Sequence, residues 1–337
     1  MSFEAALAEI LERYAGGRGT AGLAMITGGG AATAWAPKSA PEESAYLAYS
    51  ITKTFIASLV LMLRDEGRLS LDDRLAQWLP GLAEAERISL RRLLDHTAGV
   101  PDYGGLSAYR EDLRASPTAP WSFERYMAET LEKGLSFEPG NGWAYSNPGY
   151  MLLRRIAEEA AGRRFAELIA ERFARPLGLA RTFVAESVED LASLAPAMSQ
   201  ALSPDGTSRD VRSLYHPGWV SHGVVASTPS EIVRFVDALA RGRLISQASV
   251  QEMTVAVPVP AAAGPWSRPG YGLGVMVDAA SRWGLVWGHN GSGPGYSASA
   301  LHAPSLGQAS VCAMCAFEEG PPAEQLVFAA LDVLRGV

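Results

Sequence analysis

The feature that most constrains this chain is Ser50-Ile51-Thr52-Lys53, at the head of the apolar run Thr54–Leu63. A run of this length, closed by Glu66-Gly67, reads as a buried helix with glycine at its C-terminal cap. On a helix, positions i and i+3 lie on one face about a turn apart, so the Ser50 hydroxyl falls beside the Lys53 amine at the positive end of the dipole. A serine hydroxyl becomes a nucleophile when a neighbouring base takes its proton, and a desolvated lysine is such a base. Of the chain's 29 basic residues, only Lys38, Lys53 and Lys133 are lysines. Arginine keeps its proton at working pH whereas buried lysine can lose it. A lysine kept on an apolar helix therefore favours chemistry, although an N-cap serine followed by a snorkelling amine fits the same spacing.

The rest of the composition narrows the class. At 337 residues, 48% hydrophobic and 19% charged, the chain has the balance of a globular protein with a sizeable core. The net charge of −7, with no basic run, argues against a nucleic-acid partner. No stretch has 18 consecutive apolar residues, so no membrane span is expected. The opening Met1–Ile10 carries acids where a signal peptide needs a basic end, which points to the cytoplasm. Cys312 and Cys315 form a C-x-x-C inside Ser310–Phe317, which reads as a buried strand. Residues i and i+3 on a strand point to opposite faces, so neither a disulfide nor a zinc site is expected. The five histidines, His96, His216, His222, His289 and His302, show no paired ligand spacing. No cofactor and no metal is implied.

Along the chain, residues 3–14 read as an amphipathic helix, and 21–27 and 31–36 as two strands. Gly28-Gly29-Gly30 between them reads as a hairpin turn, since no helix or Lys-Ser/Thr follows to make a phosphate cradle. Residues 69–135 read as short helices and turns, with His96 a satisfied structural residue in an apolar turn. Helices are expected over 149–161 and 163–175, punctuated by Gly162 and Pro176. The stretches 203–218 and 255–270 read as Pro/Gly-rich surface loops. Strands over 271–277, 283–289, 295–302 and 309–317, with short gaps, point to an antiparallel meander, closed by a helix over 321–335. The simplest assembly is an α+β fold: one antiparallel sheet built from both chain ends, with a helical middle inserted.

Two further clusters fit a serine-lysine site. Tyr145-Ser146-Asn147 lies in the turn-rich segment 139–149, where a phenol beside a lysine ammonium has its pKa drawn down and relays a proton. Asn147 supplies an amide for the lysine or a substrate carbonyl. Trp287-Gly288-His289-Asn290-Gly291-Ser292-Gly293 ends a strand, where Gly291 permits close approach of a substrate backbone. The Ser292 amide then offers one arm of an oxyanion hole and the Ser50 amide the other. Taken singly, these also read as an anchoring turn and a glycine-rich hairpin end. No G-x-S-x-G is present, so the elbow of the α/β-hydrolases is absent.

In this order and spacing, Ser50/Lys53, Tyr145/Asn147 and His289/Gly291 resemble the S-x-x-K, Y-x-N and H-x-G triad of the serine β-lactamase and penicillin-binding-protein superfamily. The likeness is to the branch holding class C β-lactamases, D-Ala-D-Ala carboxypeptidases, D-aminopeptidases and related esterases. Tyr49–Phe55, Glu66–Asp73, Leu93–Tyr103, Tyr145–Tyr150 and Gly223–Thr228 share that wording, so the resemblance covers roughly residues 15–330. It implies a β-lactamase/transpeptidase-like fold, an antiparallel sheet flanked by helices plus an all-helical domain. Residues 1–68 and 216–337 would form the sheet domain, 69–215 the helical one, and the active site would lie in the cleft between.

The resemblance also implies roles. Ser50 attacks a carbonyl to give an acyl-enzyme, and Lys53 and Tyr145 shuttle its proton. The Ser50 and Ser292 amides hold the oxyanion, Asn147 and His289 position substrate, and water releases the acid. His289 replaces the lysine usual in β-lactamases, and a neutral imidazole offers a hydrogen bond where that lysine offers fixed charge. The expectation is a serine hydrolase of small esters, amides or short peptides, D-amino-acid derivatives among them. The alternatives are a D,D-carboxypeptidase or weak class C-like β-lactamase and, from another class, a non-turnover penicillin-binding sensor or scaffold.

Overall fold

The computed structural model describes residues 2–37, 43–260, 266–318 and 322–336. In chain order the strands are β1 (Thr20–Thr27), β2 (Gly30–Ala36), β3 (Tyr46–Leu47), β4 (Phe183–Ala185), β5 (Met198–Ser199), β6 (Arg209–Asp210) and β7 (Val224–Ser227). Then come β8 (Val257–Pro258), β9 (Pro269–Tyr271), β10 (Met276–Ser281), β11 (Gly284–Gly293), β12 (Tyr296–Ala303) and β13 (Ala309–Ala316). The main sheet has the order β2-β1-β13-β12-β11-β10-β9-β8, antiparallel throughout, so both ends of the chain build it as expected. A three-stranded sheet runs β3-β7-β4, and β5 pairs with β6.

Both faces of the main sheet are covered, which is why β13 reads as continuously apolar instead of alternating. All eight of its residues are buried. Val311, Ala313 and Cys315 face an outer core with Leu7 and Leu11 of the helix Phe3–Ala15 and Leu326 and Leu331 of the helix Ala323–Arg335. Cys312, Met314 and Ala316 face the inner core, so the two cysteines diverge and both are free thiols. Thr27 pairs with Gly30, which makes Gly28-Gly29 a two-residue hairpin loop.

The helix Thr52–Asp65 is buried along almost its whole length, as an all-round apolar helix must be. Phe55 stacks on Phe235 of the helix Pro229–Ala240 with centroids 3.7 Å apart and meets Phe173 edge-on at 5.4 Å. Such aromatic pairs add about 0.5–1.5 kcal/mol each beyond area burial. At its end the Gly67 and Arg68 amides turn back to the Arg64 and Leu63 carbonyls, with Gly67 at φ +71°, the expected glycine stop.

Several boundaries differ from the sequence reading. The segment 271–277 is not one strand: β9 ends at Tyr271, and Gly274, at φ +78°, turns the chain before β10 begins. A side chain at Gly274 would strike Ala57 Cβ at 2.3 Å, so that turn presses directly on the central helix. The helix expected at 149–161 starts at Asn147, where the Ser146 hydroxyl caps the Gly149 amide. The next helical stretch begins at Phe165 and passes through Pro176 to Leu177, stopping at Gly178. A wide π-type turn over Ala170–Ala174 precedes the proline and loosens the hydrogen-bond ladder there. The 203–218 loop contains β6 and the short helix Val211–Leu214. Of the 255–270 stretch, residues 261–265 lie outside the described residues, as does residue 321 of the last expected helix.

Candidate active site

Three distant segments meet at a cavity of about 480 Å³, lined by Ser50, Tyr145, Asn147, His289, Gly291 and Ser292 among others. Ser50 sits in the single 3-10 turn Tyr49–Ile51 that leads into the helix Thr52–Asp65. Tyr49 adopts φ +44°, a left-handed conformation unusual for a bulky residue and a common mark of functional turns. Its hydroxyl donates to the Pro294 carbonyl at 2.7 Å, and its ring fills the space beside Gly293, where a Cβ would lie 2.5 Å away.

Lys53, one turn on, has no exposed surface. Its Nζ lies 3.1 Å from Ser50 Oγ, 2.7 Å from Asn147 Oδ1 and 3.3 Å from His222 Nε2. Among the described residues no carboxylate forms an ion pair with it. Burial drives its pKa well below the ordinary lysine value, and the neighbouring Asp102 opposes this only in part. A neutral amine has two N–H donors and one lone pair. Asn147 Oδ1 and the unprotonated nitrogen of His222 are two acceptors for those donors, which leaves the lone pair for the Ser50 hydroxyl. His222 also hydrogen-bonds the Tyr49 backbone.

Tyr145 places its ring 4.7 Å from Lys53 Nζ, face towards the amine. Its phenol does not behave as the sequence suggested. Burial raises its pKa, and the hydrogen bond with Ser50 offsets this only in part, so the phenol stays protonated. Burial is the dominant cause, and the nearby Asp102 adds to it. The Tyr145 hydroxyl therefore keeps its proton available for donation.

His289 is buried and neutral, its pKa lowered to about 3, chiefly by burial. Nδ1 donates to the Asn290 carbonyl at 2.6 Å, so Nε2 is the acceptor, at 2.8 Å from the Tyr271 hydroxyl. Both ring nitrogens are therefore engaged within the protein. Gly291 permits a close approach, but of the chain to itself: an added Cβ would lie 2.2 Å from the Ala48 carbonyl oxygen and 3.0 Å from Ser50 N. That contact sets β11 against the Ser50 turn and lines up the Ser50 and Ser292 segments.

Supporting residues escaped the sequence reading. Asp102 Oδ1 accepts the Asn147 amide at 2.8 Å and so holds the Tyr145–Asn147 turn. His96 packs its ring on Tyr145 and Tyr271, each 4.5 Å away, and accepts the Ser146 amide on Nδ1. It is structural as expected, yet its Nε2 has no partner among the described residues. His222 rides on a turn fixed by tyrosines. The Trp219 carbonyl accepts the Tyr109 and Tyr126 hydroxyls at 3.0 and 3.1 Å, and the Ser221 amide donates to Tyr103 Oη at 3.1 Å. The only available signal for His222 was its place beside the quoted Gly223–Thr228 segment.

A larger hollow, about 770 Å³, lies between the terminal helices and is lined by Phe3, Ile10, Phe328 and Val333 with a few polar residues. It holds no base-activated nucleophile. Among the described residues no group of three or more His, Cys, Asp or Glu is placed to hold a metal, and no helix is long and apolar enough to cross a membrane.

Residues 4–331 match the beta-lactamase family. The chain belongs to that family. Penicillin-binding protein 4* of Bacillus subtilis is 32% identical over 259 residues, 74% of this chain and 55% of that protein. The chain spans about half the length of the curated relatives it matches. Among solved structures, a D-stereospecific amidohydrolase from Streptomyces superposes with a TM-score of 0.84 at 29% identity, covering 97% of this chain and 98% of that one. The D-amino acid amidase of Ochrobactrum anthropi shares the fold, with a TM-score of 0.82 at 24% identity over 99% of both chains. The mixed helix and antiparallel-sheet architecture of this family is the one expected from the sequence.

Proposed function

We propose that this member of the beta-lactamase family is a serine hydrolase that acylates on Ser50 and cleaves small amides or esters, D-amino-acid derivatives among them. The observation that carries the reading is a fully buried Lys53, its pKa driven well below the ordinary lysine value, with its amine 3.1 Å from Ser50 Oγ and 2.7 Å from Asn147 Oδ1. Lys53 takes the hydroxyl proton as Ser50 attacks the substrate carbonyl. The Ser50 and Ser292 amides receive the oxyanion. The protonated Tyr145 phenol delivers a proton to the leaving group, and the Lys53 ammonium returns the proton taken from Ser50 to the phenolate, so that the hydroxyl proton ends on the leaving group. Water then repeats the sequence to release the acid. Asn147 orients Lys53 and, with His289, shapes the substrate face.

The near-complete superposition on a D-stereospecific amidohydrolase supports an amide substrate. Likeness to a penicillin-binding protein favours a D,D-carboxypeptidase or weak β-lactamase, but His289 supplies no positive charge for the carboxylate such substrates carry. The division into residues 1–68 with 216–337 and residues 69–215 is part of the same proposal. It is supported by a main sheet drawn wholly from 20–36 and 257–316 and by a cavity that takes Tyr145 and Asn147 from the helical middle.

The test is burst and steady-state kinetics with p-nitrophenyl acetate, a D-amino-acid amide and a chromogenic cephalosporin, with intact mass of the trapped enzyme. Sustained ester or amide turnover and an adduct lost in Ser50→Ala support the reading. A one-equivalent cephalosporin burst without turnover favours a sensor. No adduct with any of the three rejects an acyl-enzyme altogether.

A further inference from the structure

The described residues lining the Ser50 cavity include one side chain with a fixed charge, and it is Glu324. Glu324 occupies the first turn of the helix Ala323–Arg335, where a carboxylate ordinarily just complements the helix dipole. Here it is also clamped. Trp266 Nε1 donates to its Oε1 at 2.8 Å, and Asn290 Nδ2 donates to the same oxygen. Asn290 is in turn fixed by the Ser299 hydroxyl, which donates to Oδ1 at 2.8 Å. Among the described residues no hydrogen bond reaches Glu324 Oε2. Asn290 lies between His289 and Gly291 on β11, so the network ties the carboxylate to the strand that borders Ser50.

Among the described residues lining the cavity, no cation balances it. Lys53 is buried, uncharged and engaged by its own partners, and both nitrogens of the neutral His289 are taken. Residues 261–265, next in sequence to Trp266, are Ala-Ala-Ala-Gly-Pro and bring no charge. A substrate carboxylate entering this cavity meets a fixed negative group and no counter-charge among the described lining residues, whereas an ammonium group meets a pre-oriented acceptor.

We propose that Glu324 is a specificity-determining residue that selects substrates by charge. It admits amides and esters bearing an ammonium group or no charge near the scissile bond, and rejects those bearing a carboxylate there. The inference rests on the serine-hydrolase reading and deepens it by naming the substrate class.

Two charge series test it, whichever side of the scissile bond faces Glu324. The leaving-group series is S-acetylthiocholine, methyl S-acetyl-3-mercaptopropionate and S-acetyl-3-mercaptopropionate, followed by thiol release. The acyl series is D-alanine p-nitroanilide and its N-acetyl and N-succinyl derivatives. Two opposite charges a few ångströms apart near a protein surface change a rate constant by about tenfold or more. In at least one series kcat/KM is expected to fall from cation to neutral to anion, with a cation-to-anion ratio of about 100 at low salt. Glu324→Gln should shrink that ratio at least about tenfold. Should that variant fail to fold, the wild-type ratio between about 0.05 and 1 M salt serves instead, since screening must narrow it. Flat or inverted order in both series, or a ratio unchanged by Glu324→Gln and by salt, overturns the proposal while the hydrolysis itself leaves Ser50 chemistry standing. If neutral substrates in both series are untouched and Ser50 takes no acyl group, it is the hydrolase reading that fails, and this inference falls with it.

Discussion

Lys53 Nζ lies 2.7 Å from Asn147 Oδ1, although 94 residues separate them in the chain. That bond occupies an N–H of the amine and, with His222, leaves the nitrogen lone pair facing Ser50. Lys53→Arg removes the lone pair for good, because guanidinium does not deprotonate at working pH. Loss of a general base costs about 10²–10⁴-fold. The expected result is a loss of that size in both acylation burst and turnover, read by stopped flow. Retention of full activity would show that Lys53 is not the base.

His222→Ala should alter the pH profile more than the fold. Water replacing the imidazole would hydrate Lys53 and ease the burial that keeps it neutral, so its pKa should rise. The acid limb of kcat/KM, where Lys53 gains its proton, is expected to move to higher pH, with activity lower at neutral pH. A limb superimposable on wild type would mean that His222 has no part in setting the lysine.

Gly291→Ala tests the approach of β11 to the nucleophile turn. Its Cβ would lie 2.2 Å from Ala48 O, so strand or turn must shift. Overpacking of this kind costs about 1–3 kcal/mol of stability. Activity should fall further than stability does, since the displaced backbone carries the Ser50 amide. Thermal melts alongside ester hydrolysis separate the two, and normal activity would refute the contact.

Acid should destabilise the protein earlier than carboxylate titration alone would. His289 is held neutral down to about pH 3, and burial lowers His96 and His222 in the same direction. Between the unfolded value near 6.5 and the lowered folded value, the unfolded chain binds more protons, so stability present above pH 6.5 is lost as pH falls. At pH 5 His289 contributes about 2 kcal/mol of that loss, and His96 and His222 act in the same direction. Urea melts from pH 7.5 to 5 should show it, and His289→Asn should flatten part of the slope.

Cys312 and Cys315 are fully buried on opposite faces of β13, with pKa values raised, that of Cys315 to about 12. No thiol should react with an aromatic disulfide reagent in the native protein, and two should react in guanidinium chloride. Fewer than two after denaturation without reductant would indicate a disulfide.

Much of this was legible in one dimension. Ser50 and Lys53 are neighbours on a helix because helical geometry brings i and i+3 together, and the apolar run says the helix is buried. The divergence of Cys312 and Cys315 follows from the two-residue period of a strand. The order of Ser50, Tyr145 and His289 carried the family likeness and with it the fold. Harder to read was Pro176, which sits inside a helix because a π-type turn upstream makes room for it. The single strand expected at 271–277 breaks at Gly272–Gly274, because the backbone there must turn against the central helix.

What the amino-acid order determined by itself was local: which segments are helix or strand, which faces are apolar, and which residue types can exchange a proton at helical spacing. What only the tertiary structure decided was the electrical state of those residues. Whether Lys53 is charged depends on how completely water is excluded around it, whether Tyr145 keeps its proton depends on its own burial, and whether the cavity favours cations depends on Glu324, 274 positions from Ser50. Desolvation and charge pairing are sums over neighbours in space, and in this chain those neighbours come from segments far apart in the sequence.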